Sequence, residues 1–225
     1  MNSPGSRPAA VLLGATGLVG GHCLDLLLGD PEYGRVTVLG RRASGRAHPR
    51  LEERTGDVDR LLGEHASAFE GADVFCCLGT TIRAAGSREA FRRVDHDLPV
   101  HAARVASGAG ARHFLLVSAA GADAGSRVFY NRVKGETEAA VGALSFHGVA
   151  LLRPSLLLGD RVERRPAEAL AQRVAPLLSP LLRGPLRKYR AIHAATVAAA
   201  LVRLAKEGVR GTVTVESDQI ERLGR

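Results

Sequence analysis

The sequence predicts an α/β fold built on a doubly wound, mostly parallel sheet, and two observations carry this prediction. Short apolar runs alternate with helical segments along most of the chain, as they do in the β-α units of a parallel sheet. The first run, Ala9–Leu13, leads through Gly14, Gly17 and Gly20 into a helical segment over residues 18–28. Glycines at this spacing allow a tight turn and let the backbone approach a pyrophosphate at the helix N-terminus. We therefore expect a dinucleotide to bind at this turn.

The length and the cysteine content fit one domain in a reducing compartment. The chain has 225 residues, enough to bury a substantial core, and its 3 cysteines have neither zinc-ligand nor disulfide spacing. No apolar run approaches the ~20 residues of a membrane-spanning helix, and residues 1–8 lack the hydrophobic stretch of a secretory signal. We expect a single NAD(P)-binding domain over residues 1–225 in the cytoplasm, with residues 159–190 as a small substrate-side insertion.

The net charge of +8 does not by itself identify a partner. The basic residues are scattered and almost all are arginine, and no basic cluster is interleaved with aromatic residues as in a nucleic-acid-binding surface. The apolar run 177–182, near Arg183 and Arg187, is compatible with a membrane-surface contact or with the edge of a substrate cleft, and we favour the cleft. We expect a small-molecule substrate, no nucleic-acid, membrane or metal partner, and a monomer or a dimer.

The second strand, over residues 35–39, ends at Gly40, Arg41 and Arg42. In a dinucleotide-binding fold an acidic residue here binds the ribose 2′-hydroxyl of NAD, whereas arginine accepts the 2′-phosphate of NADP. No carboxylate follows until Glu52. The alternative is that both arginines are solvated loop charges. We favour the phosphate role, and therefore NADP(H) over NAD(H).

The third and fourth predicted strands also lead into polar residues. A short strand ends near Thr55, and Asp57 and Val58 follow at the start of a helical stretch that continues to residue 69. Asp57 is placed either to accept a hydrogen bond from the adenine amino group or to cap that helix. The apolar strand 72–78 ends at the sheet edge where open α/β sheets bind ligands. The residues at its end are Leu78, Gly79, Thr80 and Thr81.

The next two β-α units supply the candidate reacting groups. Ser87 caps a predicted helix that runs to residue 107, and Ser118 follows the strand His113–Val117. The helix predicted over residues 126–144 carries Tyr130 and Lys134. A sixth strand, over residues 148–153, ends at the same sheet edge with Arg153, Pro154 and Ser155. Further along we predict helices over 166–178 and 194–206 and a last strand over 212–215.

Tyr130 and Lys134 share one face of their helix because they are four residues apart. A tyrosine hydroxyl has a pKa near ~10, and a lysine ammonium one turn away, together with an oxidised nicotinamide, would favour the phenolate. Such a phenol exchanges a proton with a carbonyl or an alcohol while hydride moves at the nicotinamide, and Ser118 would orient the same oxygen. The alternative is a surface helix on which the two residues are four apart by chance. We favour Ser118, Tyr130 and Lys134 as catalytic residues.

These motifs, in this order, resemble those of the extended and atypical short-chain dehydrogenase/reductases: Gly14-x-x-Gly17-x-x-Gly20, Asp57, Ser118, Tyr130-x-x-x-Lys134 and Arg153-Pro154. A narrower set resembles the Tat-interacting-protein-like oxidoreductases and their bacterial relatives: Cys76-Cys77-Leu78-Gly79-Thr80-Thr81, Tyr130-x-x-Val133-Lys134-Gly135-Glu136 and Arg153-Pro154-Ser155. The resemblance covers residues 9–224 and implies a Rossmann sheet, bound NADP(H) and a Ser-Tyr-Lys catalytic set. Asp95 departs from the family pattern, since many members carry an asparagine there that supports a proton relay.

Two functions are compatible with these residues. The first is an NADP(H)-dependent oxidoreductase that reduces a small carbonyl compound, and the second is a redox sensor or regulatory protein that binds NADP(H) without turnover. The presence of both Tyr130 and Lys134 favours the enzyme. The expected cofactor-binding residues are Gly14, Thr16, Gly17, Leu18, Val19, Gly20, Arg41, Arg42, Asp57, Val58, Leu78, Gly79, Thr80, Thr81, Ser118, Tyr130, Lys134, Arg153, Pro154 and Ser155.

Overall fold

The strands follow the predicted apolar runs closely. A computed structural model describes residues 8–159 and 190–225 of the chain. Its strands are β1 (Ala9–Leu13), β2 (Arg35–Gly40), β3 (Leu51–Thr55), β4 (Asp73–Cys76), β5 (His113–Val117), β6 (Gly148–Arg153), β7 (Leu157–Leu158), β8 (Ile192–His193) and β9 (Gly211–Glu216). The main sheet has the order β3-β2-β1-β4-β5-β6-β9, and every neighbouring pair in it is parallel.

Helices lie on both faces of this sheet. They are α1 (Leu18–Gly29), α2 (Val58–Glu64), α3 (Ile82–Ala85), α4 (Arg88–Arg92), α5 (Leu98–Gly108), α6 (Phe129–Gly142), α7 (Ala194–Glu207) and α8 (Ser217–Leu223). A 3₁₀ turn, Ala66–Phe69, and a π-helical turn, Arg93–Asp97, complete the helical segments of the described chain. Among these residues no helix is long and apolar enough to cross a membrane.

Strand β1 shows why both faces of the sheet must be covered. Ala10 and Leu12 belong to the core beneath α1 and α7, whereas Val11 and Leu13 belong to the core beneath α2 and α5. Successive side chains of a strand point to opposite faces, so a strand that is apolar throughout needs a helical layer on each side. The predicted doubly wound α/β fold is therefore confirmed.

The strand order places a ligand-binding crevice beside the glycine turn. Strand β1 pairs with β2 on one side and with β4 on the other, so the chain reverses its direction of winding between β1 and β4. In open parallel sheets ligands bind at this switch point, outside the carboxyl ends of the strands. The turns that follow β1, β2, β4, β5 and β6 all reach this edge.

Three helical segments differ from their predicted extent. The stretch predicted over residues 58–69 divides at His65 into α2 and the 3₁₀ turn. The helix predicted from Ser87 to residue 107 begins at its serine cap, where the hydroxyl accepts from the Ala90 N–H at 3.0 Å, but the π-helical turn interrupts it. The helix predicted over 126–144 begins only at Phe129, because the Ser126 hydroxyl accepts from the Val128 N–H and holds a turn there. The predicted helix 166–178, the run 177–182 and most of the insertion 159–190 lie outside the described residues, so the domain boundaries stay a prediction.

A buried polar cluster lies at the opposite, amino-terminal edge of the sheet. The Asp73 carboxylate, at the start of β4, accepts from the Tyr33 hydroxyl at 3.0 Å and from the Arg112 guanidinium at 2.8 Å. Nδ1 of His113 lies 2.8 Å from the same carboxylate. Buried polar groups are stabilising only when they are paired in this way, so this cluster fixes β4 against β5 away from the ligand edge.

Candidate cofactor and active site

The turn after β1 can be built only with glycine at two of its three glycine positions. Gly14 has φ +84°, and a Cβ on it would lie 2.5 Å from the Cys77 carbonyl oxygen. A Cβ on Gly20 would lie 2.1 Å from the carbonyl oxygen of Gly14, because helix and turn are in direct backbone contact. The N–H of Gly17 donates to that same carbonyl at 2.9 Å and closes the turn. The glycines therefore bring the N-terminus of α1 to the ligand edge.

This helix terminus fits a pyrophosphate. Gly17 is the N-cap of α1 and supplies no side-chain cap, and the first turn carries no acidic residue. The free N–H groups and the positive end of the helix dipole favour an anion at such a terminus. Thr16 and Gly17 are exposed, Leu18 is half-buried, and Val19 anchors the helix in the core.

Arg41 and Arg42 lie exposed in the turn after β2, at the same sheet edge. Neither has an ion pair with another residue of the described chain, whereas nearby Arg46 binds Asp25 through two hydrogen bonds of 3.0 and 3.1 Å. Two uncompensated guanidinium groups at the end of the second strand fit the 2′-phosphate of NADP. The role itself stays a prediction.

Asp57 and Thr81 both act as helix caps. The Asp57 carboxylate accepts from the Arg60 N–H at 3.1 Å at the start of α2, and the Thr81 hydroxyl accepts from the Ala84 N–H at 3.2 Å at the start of α3. Val58, next to Asp57, is buried, and Leu78 packs partly against the same core. Of the two roles that the sequence left open for Asp57, the cap is observed, and a contact with adenine stays a prediction.

Ser118 lies buried at the ligand edge of the sheet. The residue follows β5, is 5% exposed, and its N–H donates to the Leu152 carbonyl at 2.7 Å. Its Oγ is buried and has no hydrogen-bond partner among residues 8–159 and 190–225. An unpaired hydroxyl is costly in a protein interior, so a buried Oγ at the ligand edge indicates a position where a bound molecule supplies the partner.

Tyr130 lies in the first turn of α6, with its ring against that of Phe91 at a centroid distance of 5.4 Å. Burial raises the pKa of the Tyr130 phenol; the Lys134 ammonium opposes this rise and the Asp95 carboxylate adds to it. The sequence argument expected Lys134 and an oxidised nicotinamide to favour the phenolate. Without the nicotinamide charge, burial prevails and the phenol is held in its protonated form.

Lys134 is a buried ammonium paired with Asp95, which the sequence marked as a departure from the family pattern but which is not among the predicted site residues. Its Nζ lies 2.8 Å from Oδ1 of Asp95, and the two side chains are 7% and 0% exposed. Burial lowers the pKa of Lys134, but the charge and hydrogen bond of Asp95 and the Tyr130 phenol together raise it above its usual value. The pKa of Asp95 is also raised, because burial disfavours its charged form. Lys134 and the Thr80 N–H oppose this rise, since both favour the carboxylate.

Asp95 also binds the turn after β4. Its Oδ2 accepts from the Thr80 N–H at 2.8 Å. A Cβ on Gly79 would lie 3.5 Å from Oδ1 of Asp95 and 3.8 Å from Nζ of Lys134, so the predicted residues of this turn and the Tyr-Lys helix are in fact brought together. The sequence carried a signal for Asp95, because Phe91, Asp95 and Ala102 recur with helical spacing and all are buried. An acidic residue on a buried helix face requires a partner.

A second close approach fixes the loop between Ser118 and Tyr130. A Cβ on Gly135 would lie 2.1 Å from the backbone nitrogen of Ala124, so the loop after β5 crosses α6 in backbone contact. Gly135 directly follows Lys134, and no larger residue would let the loop pack there. The loop and the helix are thereby held together, which ties Ser118 to the Tyr-Lys helix.

The Arg153 side chain is held by carboxylates. Its guanidinium donates to Glu138 at 2.6 Å and to Glu216 at 3.2 Å. The hydrogen bonds to Glu138 raise the pKa of Arg153 further, despite partial burial. Ser155 bonds to Ser217 and to the Arg190 carbonyl. Contacts of Arg153, Pro154 and Ser155 with a cofactor stay a prediction.

Comparison with known proteins identifies the family of this chain. An NAD(P)H-binding family model matches residues 14–145. Protein HTATIP2 of Rattus norvegicus is 43% identical over 166 residues, which cover 72% of this chain and 68% of that protein. The mitochondrial protein fmp52 of Emericella nidulans is 34% identical over 215 residues, covering 93% and 92% of the two chains. The fmp52 protein is named as mitochondrial, whereas we expect this chain in the cytoplasm. The cytoplasmic location stays a prediction.

Solved structures match the fold. MoeE5 in complex with UDP-glucose and NAD superposes with a TM-score of 0.68 at 16% identity, covering 96% of this chain and 80% of that one. DesIV, a dTDP-glucose 4,6-dehydratase from Streptomyces venezuelae with NAD and TYD bound, has a TM-score of 0.68 at 18% identity, covering 92% and 76%. By the family match and the identity to HTATIP2, the chain belongs to the NAD(P)H-binding family and, within it, to the atypical short-chain dehydrogenase/reductases related to HTATIP2.

Proposed function

We propose that this protein is an NADP(H)-dependent oxidoreductase that reduces a small carbonyl compound. The observation that carries the proposal is the buried Lys134 ammonium at the ligand edge, one helical turn from the Tyr130 phenol. A charged lysine is rarely buried unless it serves a partner or a reaction. Its position beside Gly79, at the switch point of the sheet, is where the nicotinamide half of a dinucleotide would lie.

Each of the three candidate catalytic residues has a distinct role in this reaction. The bound dinucleotide supplies the hydride. The Ser118 Oγ, which has no partner in the described chain, donates a hydrogen bond to the substrate carbonyl oxygen and orients it. The Tyr130 hydroxyl gives its proton to that oxygen as negative charge develops there, and the Lys134 ammonium stabilises the phenolate that remains.

Tyr130 is suited to act as the acid of a reduction. Burial raises the pKa of this phenol, so the hydroxyl keeps its proton at neutral pH. A general acid must start protonated, whereas the reverse reaction requires the phenolate as a base. The redox sensor remains the rival function, and absence of turnover across a broad panel of carbonyl compounds would support it.

The cofactor preference follows from the charge at the end of β2. Arg41 and Arg42 are exposed and without an ion pair in the described chain, and no carboxylate occupies the adjoining turn before Glu52. A 2′-phosphate bound there would gain two guanidinium partners. This supports NADP(H) over NAD(H).

The test is transfer of deuterium from NADPH labelled at the reactive nicotinamide carbon to aldehydes and ketones. Appearance of the label at the carbinol carbon of a product establishes the proposed reaction. A protein that binds NADPH tightly in a fluorescence titration yet transfers no label to any member of the panel would instead be the sensor. The chain contains no tryptophan, so NADPH fluorescence is free of indole emission.

A further inference from the structure

We propose that Asp95 is the positioning residue of this site: it holds the Lys134 ammonium against the turn after β4 and supplies its counter-charge. Its kinetic consequence rests on the proposed function, but the pairing itself can be tested without a substrate.

The two oxygens of Asp95 join two separate parts of the site. Oδ1 lies 2.8 Å from Nζ of Lys134 on α6, and Oδ2 accepts from the Thr80 N–H at 2.8 Å in the turn after β4. An asparagine could accept from Thr80 with its amide oxygen, but it would bring an N–H₂ group, not a charge, to the ammonium. Only a carboxylate presents an oxygen atom to both neighbours and a negative charge to the ammonium.

The backbone at Asp95 is itself held in place. Pro99, four residues further on, has no N–H to donate to the Asp95 carbonyl, and the helix forms a π-helical turn here. The Thr137 hydroxyl on α6 lies 2.9 Å from this carbonyl and 2.8 Å from the Val133 carbonyl, and its one proton is shared between them. Asp95 is therefore tied to α6 through its main chain as well as its side chain, and π-helical turns often occur at functional positions.

Burial makes the counter-charge necessary. The ammonium of Lys134 is 7% exposed, and desolvation of an unpaired buried lysine lowers its pKa by up to ~3–5 units. The titratable groups that face it are Asp95 from the π-helical turn, Tyr130 from its own helix and Cys76 from β4. Of these only Asp95 is an anion at neutral pH. Without it the ammonium would stand against two neutral groups.

The experiment measures the titration of Lys134 directly. Lysine occurs only at positions 134, 188 and 206, so protein grown with ¹³C-lysine gives few Cε resonances, and loss of one in Lys134→Met assigns it. In the parent protein we expect Lys134 to remain charged as far into the alkaline range as the fold persists. In Asp95→Asn we expect the pH at the midpoint of the Lys134 titration to fall by at least ~1 unit.

A neighbouring carboxylate provides the matched control. Asp97 lies in the same π-helical turn, is 57% exposed and pairs with His96. Asp97→Asn removes the same charge two residues away and should leave the Lys134 titration unchanged. A Lys134 midpoint that is equal in the parent protein and Asp95→Asn would overturn the proposal, as would an equal shift in both variants.

A reciprocal measurement covers the case in which Asp95→Asn does not fold. In Lys134→Met the Asp95 carboxylate loses its ammonium, and its midpoint, followed by ¹³C-carboxyl resonances, should rise by at least ~1 pH unit. An unchanged Asp95 midpoint would contradict the pairing.

The pH profile of turnover distinguishes this inference from the proposed function. If carbonyl reduction is found, Asp95→Asn should move the alkaline limb of its pH-rate profile and Asp97→Asn should not. If no substrate is turned over, the proposed function fails while the lysine titration still decides the role of Asp95. If the protein reduces carbonyl compounds but the titration midpoint of Lys134 is the same in the parent protein and in Asp95→Asn, the inference about Asp95 fails while the proposed function stands.

Discussion

Glu138 lies one helical turn after Lys134 and accepts three hydrogen bonds from the Arg153 guanidinium, at 2.6, 3.0 and 3.2 Å. Arg153 ends β6 and also contacts Glu216 at the end of β9. The helix that carries the candidate catalytic pair is thus fixed to the two strands beside it by one half-buried guanidinium.

Arg153→Met should lower the free energy of unfolding by about 3 kcal/mol, because it leaves the Glu138 carboxylate buried without a partner. The double variant Arg153→Met/Glu138→Leu should recover much of that loss, since the carboxylate that still loses its partner, Glu216, is 31% exposed and remains partly solvated. Arg203→Met, which breaks the exposed pair with Glu207, should cost less than ~1 kcal/mol. Urea denaturation without cofactor measures all three. Equal losses in Arg153→Met and Arg203→Met would show that the Glu138 pair does not fix α6.

Two glycines of the first turn should respond differently to alanine. Gly20→Ala places a Cβ against the Gly14 carbonyl and should lower the free energy of unfolding by at least ~1–3 kcal/mol. Gly17→Ala, whose Cβ would lie 3.2 Å from the same oxygen, should keep more stability but lose NADPH affinity, because the methyl group would narrow the exposed turn at which we expect the pyrophosphate to bind. Gly29→Ala is the control, since nothing lies within 4 Å of its Cβ position. Denaturation and fluorescence titration separate the two effects; normal NADPH affinity in Gly17→Ala would place the phosphates elsewhere.

NADPH should bind at least ~1.4 kcal/mol more tightly than NADH, a tenfold ratio of dissociation constants. Arg41→Ala and Arg42→Ala should reduce this ratio by weakening NADPH binding and leaving NADH binding nearly unchanged. Arg35, exposed at the other end of β2, gives the control Arg35→Ala. Isothermal titration with both cofactors decides the matter, and equal affinities in the parent protein would refute the assignment.

Alkaline pH should destabilise the fold through Tyr33. Burial, together with Asp73, raises the pKa of this phenol far above its usual ~10. Above pH ~10 the unfolded chain loses the proton while the folded chain keeps it, so the free energy of unfolding falls by about 1.4 kcal/mol per pH unit for this group. Tyr130 and Lys134, whose pKa values are also raised, add to the same trend. Tyr33→Phe should show a shallower decline in urea denaturation series; an identical slope would contradict the account.

The sheet and the glycine turn were predictable because their signals are local. Apolar runs and turn residues mark strands such as His113–Val117 within a few positions, and the structure places this strand at those residues. The polar residues after each strand then fall on one edge by the geometry of parallel strands alone. Ser118, Tyr130 and Lys134 could be proposed in the same way.

The side chains that contact Arg153 and Lys134 could not be predicted, because they come from distant positions in the sequence. Arg153 meets carboxylates 15 and 63 residues away, and no period in the sequence relates them. Asp95 was read as part of a regular helix, whereas the π-helical turn before Pro99 interrupts that helix. A departure from ideal helical geometry leaves little trace in an apolar pattern.

Turnover by Tyr130→Phe tests the central claim most directly. If the phenol delivers the proton, this variant should keep near-parent NADPH affinity and lose carbonyl reduction by ~10²–10⁴-fold, the usual contribution of one positioned acid. Tyr33→Phe, a buried tyrosine at the opposite sheet edge, is the control and should retain the parent rate at neutral pH. Rates of NADPH oxidation with a substrate that the parent protein reduces, measured beside NADPH dissociation constants, give the answer. Loss of turnover confined to Tyr130→Phe is the predicted result, and undiminished turnover in that variant would contradict the account.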